Sequence, residues 1–460
     1  MDLFTIIAFI FILGSAVVLH EFGHFIVAKL FKIRVETFSV GFGPRLFGRK
    51  WGQTDYRLSA IPLGGYVKLG GDESNAPLEG ASAPDIPAEE MYNLRPRWQR
   101  VLVAVAGPVM NIITAMAIPF AGAFIYGVPA TPAPVVYYVQ KDGAAYAAGL
   151  QPGDRIVSFN GTENPSWDAI SGDALLSPGK ALPMVVNRNG SEVPLTITPA
   201  TRMENGEAAG YLEFIPDYGG LPVVAGEVQS GSPAEASGLK EGDRFLKVGE
   251  EDVKSSAQVT EYIRSHDAQR IAITVQRNGQ TTQLTTDERR INGRLGFVVT
   301  EQYPLHAAGV FSAAKHAYNQ NFQILRLTGK ALGQVFTGQR SLGKTVSGPI
   351  GIYQATQKSI EKLGWDGVFG MLGFLSLNLG IFNLLPIPVL DGGAIFLLLL
   401  EGLLALIGLS ISAAVRDRIQ QVGFVMVLLL MVFVITNDVL KSVGGNREPD
   451  KPAATAPAQK

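Results

Sequence analysis

Leu13-Gly14-Ser15-Ala16-Val17-Val18-Leu19-His20-Glu21-Phe22-Gly23-His24-Phe25-Ile26-Val27 puts three ionisable side chains, His20, Glu21 and His24, inside an apolar run that extends from Leu3 to Phe31. The run exceeds the roughly 20 residues a helix needs to cross the hydrocarbon core of a bilayer. It opens on Met1-Asp2 without a basic segment and has no evident small-residue cleavage pattern, so it reads as a retained span rather than a leader. Ionisable groups at that depth are costly and by default mark function. Two histidines four apart on a helix project from one face. They can share a tetrahedral metal, with Glu21 beside it as a general base. The competing structural reading is a satisfied polar cluster bridging helices.

The rest of the chain carries the same apolar bias. Of 460 residues, 47% are hydrophobic and 17% charged, and the mean hydropathy is +0.19, a balance foreign to an all-soluble chain. The net charge of -1 draws nothing to nucleic acid, so a nucleic-acid partner is not expected. Zero cysteines exclude disulfides, thiol nucleophiles and thiolate-bound metal. Three further apolar blocks have spanning length: Val101 to about Tyr126, Gly367 to Leu390 with a continuation to Ile407, and Ile419 to Asn437. The stretch from Lys29 to Arg100 is dense in Lys and Arg, and Arg416 and Arg418 lie between the last two blocks. By the positive-inside rule both segments are cytoplasmic, which puts the two termini and the long middle region on the far side.

A catalytic zinc takes three protein ligands and keeps a fourth position open. His266, His306 and His316 lie outside the spans, leaving Asp391 and Glu401 as the intramembrane acids. Asp391 sits in Asn383-Leu384-Leu385-Pro386-Ile387-Pro388-Val389-Leu390-Asp391-Gly392-Gly393, where two prolines and two glycines break a helix. Broken backbone at membrane depth is tolerated where it lines a polar cavity. Asp391 is therefore the preferred third ligand, and Glu401, with no breaker beside it, the weaker candidate.

The middle region contains a repeat. Ala148-Gly149-Leu150-Gln151-Pro152-Gly153-Asp154-Arg155-Ile156 matches Ser237-Gly238-Leu239-Lys240-Glu241-Gly242-Asp243-Arg244-Phe245, and Val186-Asn187-Arg188-Asn189-Gly190 matches Val275-Gln276-Arg277-Asn278-Gly279, both with an offset of 89. One offset for two motifs indicates duplicated domains. Each copy reads as short strands punctuated by turns, with a helical piece at Val259 to Ser265 in the second. The A-G-L-x-x-G-D-x-I pattern followed by Asn160-Gly161 resembles the bacterial PDZ domain. That resemblance implies peptide or ectodomain recognition by strand addition, or alternatively a rigid spacer or size filter. The second copy has Gly249-Glu250 in place of Asn160-Gly161, which sets it apart. His306 to Phe336 reads as an amphipathic helix at the membrane interface or as a helix packed on the second repeat. In the basic loop, Glu36-Thr37-Phe38-Ser39-Val40 and Asp55-Tyr56-Arg57-Leu58-Ser59 alternate, with turns expected at Gly41-Phe42-Gly43-Pro44 and Gly64-Gly65-Tyr66-Val67-Lys68, a hairpin pattern.

H-E-x-x-H in a first span, N-x-x-P-x-P-x-L-D-G in a later one and the PDZ-like pair together resemble the site-2 protease family, over essentially the whole chain except the tail. The resemblance implies His20, His24 and Asp391 as Zn2+ ligands, Glu21 as the catalytic base and Asn383 as a substrate-backbone contact. It further implies a membrane-re-entrant β-sheet whose Gly64, Gly65 and Tyr66 clamp an extended substrate. Ala106-Gly107-Pro108-Val109-Met110-Asn111 resembles another family motif, its small residues allowing close helix packing. Ala394 departs from relatives that often carry His after D-G-G.

The expected fold is thus a polytopic α-helical membrane protein with four transmembrane helices, a cytoplasmic membrane-associated β-hairpin region and two tandem extracytoplasmic PDZ (α+β) domains. The boundaries are 1–31 for the first span, 32–99 for the loop, 100–127 for the second span, 130–217 and 218–305 for the PDZ-like domains, 306–365 for the amphipathic helix and connector, 366–410 for the broken third span, 419–440 for the fourth and 441–460 for a disordered tail. The expected function is intramembrane hydrolysis of peptide bonds in single-span membrane proteins of the bacterial inner membrane. By resemblance, the substrates are a previously trimmed anti-sigma factor and signal-peptide remnants. The active site faces the cytoplasm, the PDZ domains and termini the periplasm, and the partners are such substrates, peptides and the lipid bilayer. A membrane-tethered PDZ scaffold with a non-catalytic metal site is the alternative. A transporter would show inverted repeats among the spans, and none is legible.

Overall fold

Long charge-free runs of Ile, Leu, Phe and Ala become helices because a helix satisfies its own backbone where no water is present. The computed structural model describes residues 3–72, 86–129, 132–204, 207–266, 269–286 and 295–444. Residues 73–85 of the basic loop and 445–460 of the expected tail lie outside them. In chain order the main elements are α1 (Leu3–Leu30), β1 (Val35–Trp51), β2 (Thr54–Leu69) and α2 (Arg97–Tyr126), then β3 (Val135–Val139), β4 (Arg155–Phe159), α3 (Trp167–Leu175), β5 (Leu182–Arg188), β6 (Ser191–Ile197) and β7 (Phe214–Asp217). They continue with β8 (Val223–Val228), β9 (Arg244–Val248), α4 (Ser256–Ser265), β10 (Ala272–Arg277), β11 (Gln280–Thr285) and β12 (Phe297–Glu301). The last five are α5 (Val310–Phe336), α6 (Pro349–Leu363), α7 (Trp365–Asn383), α8 (Asp391–Leu406) and α9 (Ala413–Gly444). Among the described residues, four helices are long and apolar enough to cross a membrane: α1, α2, α7 and α9.

The chain divides into two compact units. The first comprises residues 1–122, 313–322 and 341–460. Its core is small side chains under large ones: Ala8, Ile12 and Ala16 of α1 pack on Val368 and Leu372 of α7, with Ile360 of α6 against them. Helix α6 was not expected, because Pro349 to Leu363 mixes Gln, Lys and Glu with its apolar residues; tertiary contacts hold it. The buried Asp438 of α9 accepts hydrogen bonds from the amides of Gly348, Ile350 and Gly351 at 3.0, 2.9 and 3.0 Å. A carboxylate at a helix N-terminus satisfies donors that have no partner within the helix.

The expected hairpins form one folded-back pair. Trp51 faces Thr54 across a turn at Gly52, and Thr37 to Val40 is paired on both edges, with Gly65 to Lys68 on one side and Asp55 to Leu58 on the other. Gly64-Gly65-Tyr66-Val67-Lys68 is therefore mostly strand, not the expected turn. A Cβ at Gly65 would come within 2.6 Å of the Ser39 carbonyl, so glycine there permits close strand approach. The third span expected over 366–410 is two helices, of which α7 has spanning length.

The second unit, residues 123–312 and 323–340, contains two sheets of the same order, β7-β3-β4-β5-β6 and β12-β8-β9-β10-β11. The offset of 89 extends to their interiors, Ile156 matching Phe245, Ile170 matching Val259 and Val186 matching Val275. It also extends to the helix caps, where Ser166 accepts from the Ala169 amide and Ser255 from that of Gln258. Asp154 and Asp243, each 1% exposed, explain why the two sequence motifs repeat together. Asp154 accepts from Arg188 Nε and Nη2 at 2.8 and 2.7 Å and from the Gln151 amide at 2.8 Å. Asp243 is held by Arg277 at 2.6 Å through both nitrogens and by the Lys240 amide at 2.9 Å. Burial alone would raise the Asp243 carboxyl, but the Arg277 guanidinium outweighs it and holds it below the usual carboxylate range. Helix α5 docks on the first repeat rather than the second: Arg326 and Lys330 reach the buried Asp173 of α3 at 2.9 and 3.1 Å. Its Phe311, Tyr318 and Phe322 are exposed.

Candidate metal centre

His20 and His24 follow one another by a turn of α1, and the 5%-exposed His20 has its Nε2 3.2 Å from His24 Nε2. Asp391 completes a triangle, its Oδ2 3.0 Å from His20 Nε2 and its Oδ1 3.5 Å from His24 Nε2. Among the described residues this is the group of His, Cys, Asp and Glu gathered tightly enough to hold a metal. The fit can be tested. A tetrahedral ion with arms of about 2.0–2.1 Å separates its donor atoms by about 3.3 Å. The three separations of 3.0, 3.2 and 3.5 Å match that spacing, and imidazole nitrogens with one carboxylate suit zinc.

The chain reaches this point by breaking a helix. After Asn383 the backbone turns through Pro386 and Pro388 and restarts at Asp391. Val389 takes φ 83°, a strained conformation for a β-branched residue. A Cβ at Gly392 would stand 2.3 Å from the Leu385 carbonyl and one at Gly393 2.2 Å from that of Ile387, so the fold-back requires both glycines.

Glu21, next to His20, accepts a hydrogen bond from the Val67 amide of β2 at 3.1 Å. Strand β2 thereby lies against the centre through the segment that contains Gly64, Gly65 and Tyr66. Asn383 Nδ2 is 3.3 Å from His20 Nε2. His20, Glu21, His24, Asn383 and Asp391 all line one cavity of about 790 Å³, with Gln420 and Gln421 of α9 also on its wall. Glu401, the weaker ligand candidate, pairs instead with Arg416 at 2.6 Å, which neutralises it away from the histidines. Two features of the cavity escaped sequence reading: the Val67 amide on Glu21, because any residue type supplies one, and the presence of Gln420 and Gln421 on the wall. Asn111, also near His20, lay inside a motif noted only for close packing.

Residues 8–430 match the model of Peptidase family M50. The chain is 34% identical to the regulator of sigma-E protease RseP of Salmonella typhimurium, over 95% of this chain and 98% of the relative. It is 32% identical to RseP of Escherichia coli K12 and to the protease RseP of Yersinia pestis, in both cases over 95% of this chain and 98% of the relative. The chain belongs to peptidase family M50, the site-2 proteases, and is a zinc metalloprotease with four apolar helices of membrane-spanning length.

Proposed function

We propose that the protein is an intramembrane protease of the bacterial inner membrane that cuts single-span membrane proteins within or beside their spanning segment. The observation that carries this reading is the triangle of His20, His24 and Asp391 donors at 3.0–3.5 Å beside Glu21, on a shared cavity. In it, His20, His24 and Asp391 are the zinc ligands. Zinc, when bound, supplies Lewis acidity that makes water a nucleophile near neutral pH and polarises the scissile carbonyl. Glu21 takes the proton from the attacking water and delivers it to the leaving amine. The Val67 amide holds Glu21 in place for both transfers. A helical substrate hides its carbonyls in hydrogen bonds, so the scissile segment must be extended before attack. The β2 segment at Gly64, Gly65 and Tyr66 receives it by strand addition, and the Asn383 carboxamide contacts its backbone.

The Lys and Arg density of the loop between α1 and α2 supports a cytoplasmic active site, with the repeats and both termini in the periplasm. The two repeats are PDZ-type domains whose edge strands β7 and β12 present backbone groups to peptides or ectodomain segments. The sigma-E regulators among the relatives support an anti-sigma factor as substrate and envelope stress as the signal.

The test is cleavage of a single-span substrate lacking its ectodomain by purified protein in detergent, with Glu21→Gln and chelator-treated samples beside wild type. Cutting within the span by wild type alone is the expected result. An inert wild type that still binds peptides through its repeats would make the protein a membrane-tethered scaffold.

A further inference from the structure

An imidazole can offer Nε2 to a metal only if its proton sits on Nδ1, and that Nδ1–H needs an acceptor. His24 has one, the Val103 carbonyl of α2 at 2.7 Å. His20 Nδ1 faces the carboxamide of Asn111, also on α2, with Nδ2 at 3.2 Å. Asn111 is fully buried, and its Oδ1 is a buried acceptor without a hydrogen-bond partner. A half-turn of the carboxamide exchanges its nitrogen and oxygen at nearly the same positions. One orientation donates to Nδ1 and drives the His20 proton onto Nε2, where it blocks a metal. The other gives the stranded Oδ1 a donor and leaves the Nε2 lone pair facing Asp391.

Val103, Gly107 and Asn111 are spaced by four along α2 and therefore share a face. This spacing repeats that of His20 and His24 on α1. Gly107 is the gap between the two acceptors: a Cβ there would stand 2.3 Å from His24 Nε2 and 2.8 Å from His20 Cε1. Gly23 brings the helices together, its Cβ position being 2.2 Å from the Ala106 carbonyl. We propose that Asn111 is a positioning residue, its Oδ1 accepting from His20 Nδ1–H, so that α2 fixes the tautomer of both histidines and presents both Nε2 atoms to the metal. The inference rests on the ligand set proposed above.

The test is zinc affinity of the full-length protein in detergent, measured by competition with a chromogenic chelator, together with thermal unfolding of the metal-free samples. Asn111→Leu removes the acceptor, while Asn111→Asp keeps an oxygen and creates a carboxylate–histidine pair of the kind that supports zinc ligands. The expected result is a loss of affinity of about 10–100-fold in Asn111→Leu, recovered in Asn111→Asp, with both metal-free proteins unfolding at the wild-type temperature. Wild-type affinity in Asn111→Leu, or an equal loss in Asn111→Asp, overturns the proposal. If the leucine variant does not fold, Asn111→Ala takes its place with the same two readings. His24→Ala, run in parallel, separates the two levels: it must lose zinc if the ligand set is right. Loss there without loss in Asn111→Leu defeats only this inference, whereas retained zinc in His24→Ala defeats the ligand set and the inference with it.

Discussion

Carboxylates of the two units are surrounded in opposite ways. In the repeat unit Asp154 and Asp243 each accept two bonds from an arginine and one from a backbone amide. The same arginines also donate to the carbonyls of Gly149 and Gly238 at 2.8 and 2.7 Å. Arginine is charged at every accessible pH and has no lone pair to offer, so the cluster is saturated and its product is stability. Asp391 faces two imidazoles on the wall of a cavity. Imidazole can present a lone pair, so the same kind of carboxylate retains coordinating capacity. Saturation separates these structural carboxylates from one that is still able to bind a metal.

The largest effect that would sharpen this contrast is in Glu21→Gln. Single-turnover cleavage should fall by about 10²–10⁴-fold, the usual contribution of a general base, while bound zinc and the unfolding temperature stay at wild-type values. A variant that cuts at an undiminished rate removes Glu21 from the mechanism. Next comes Asp243→Asn, which removes the charge that holds three hydrogen bonds, although the partly exposed Arg277 can turn to water. Hydrogen-exchange protection of β8 to β11 should drop by about 2 kcal/mol, with zinc content unchanged. A loss of zinc in this variant would break the separation between the units.

Acidity probes the same pair. The Asp243 carboxyl lies below its ordinary value, so its stabilisation is complete above the unfolded carboxylate pKa of about 3.9. It is lost as pH falls through the lower folded value. Protection of the second repeat should therefore decline below about pH 4 in wild type, and that contribution to the decline should be missing in Asp243→Asn. The smallest effect is expected for Asp173→Asn. Its partners Arg326 and Lys330 are partly exposed and can turn to water, so exchange protection in the second half of α5 should fall by about 1 kcal/mol. An unchanged α5 would mean that its apolar contacts alone hold it on the first repeat.

What the chain discloses before folding follows the same division. His20, Glu21, His24 and Asp391 stood out as candidates because ionisable residues inside apolar runs have few structural explanations, and the fold gathers His20, His24 and Asp391 into one group. The helix break around Asp391 was readable because prolines and glycines act locally. The pairing of Glu401 with Arg416 became visible only in the fold. The partnership of Arg188 with Asp154 was implicit in two motifs sharing one offset, yet only the fold shows that they bond. Helix α6 was invisible because its pattern is mixed and its N-terminus is capped from α9 by Asp438, far away in the chain. The Gly64–Lys68 segment misled because paired glycines signal a turn locally, whereas here they let strands approach.

The most direct test of the ligand set is zinc per chain, by elemental analysis of purified wild type, His24→Ala, Asp391→Ala and Glu401→Gln. The account predicts one zinc in wild type and in Glu401→Gln, and almost none in the other two. Zinc retained in Asp391→Ala, or lost in Glu401→Gln with the fold intact, would contradict it.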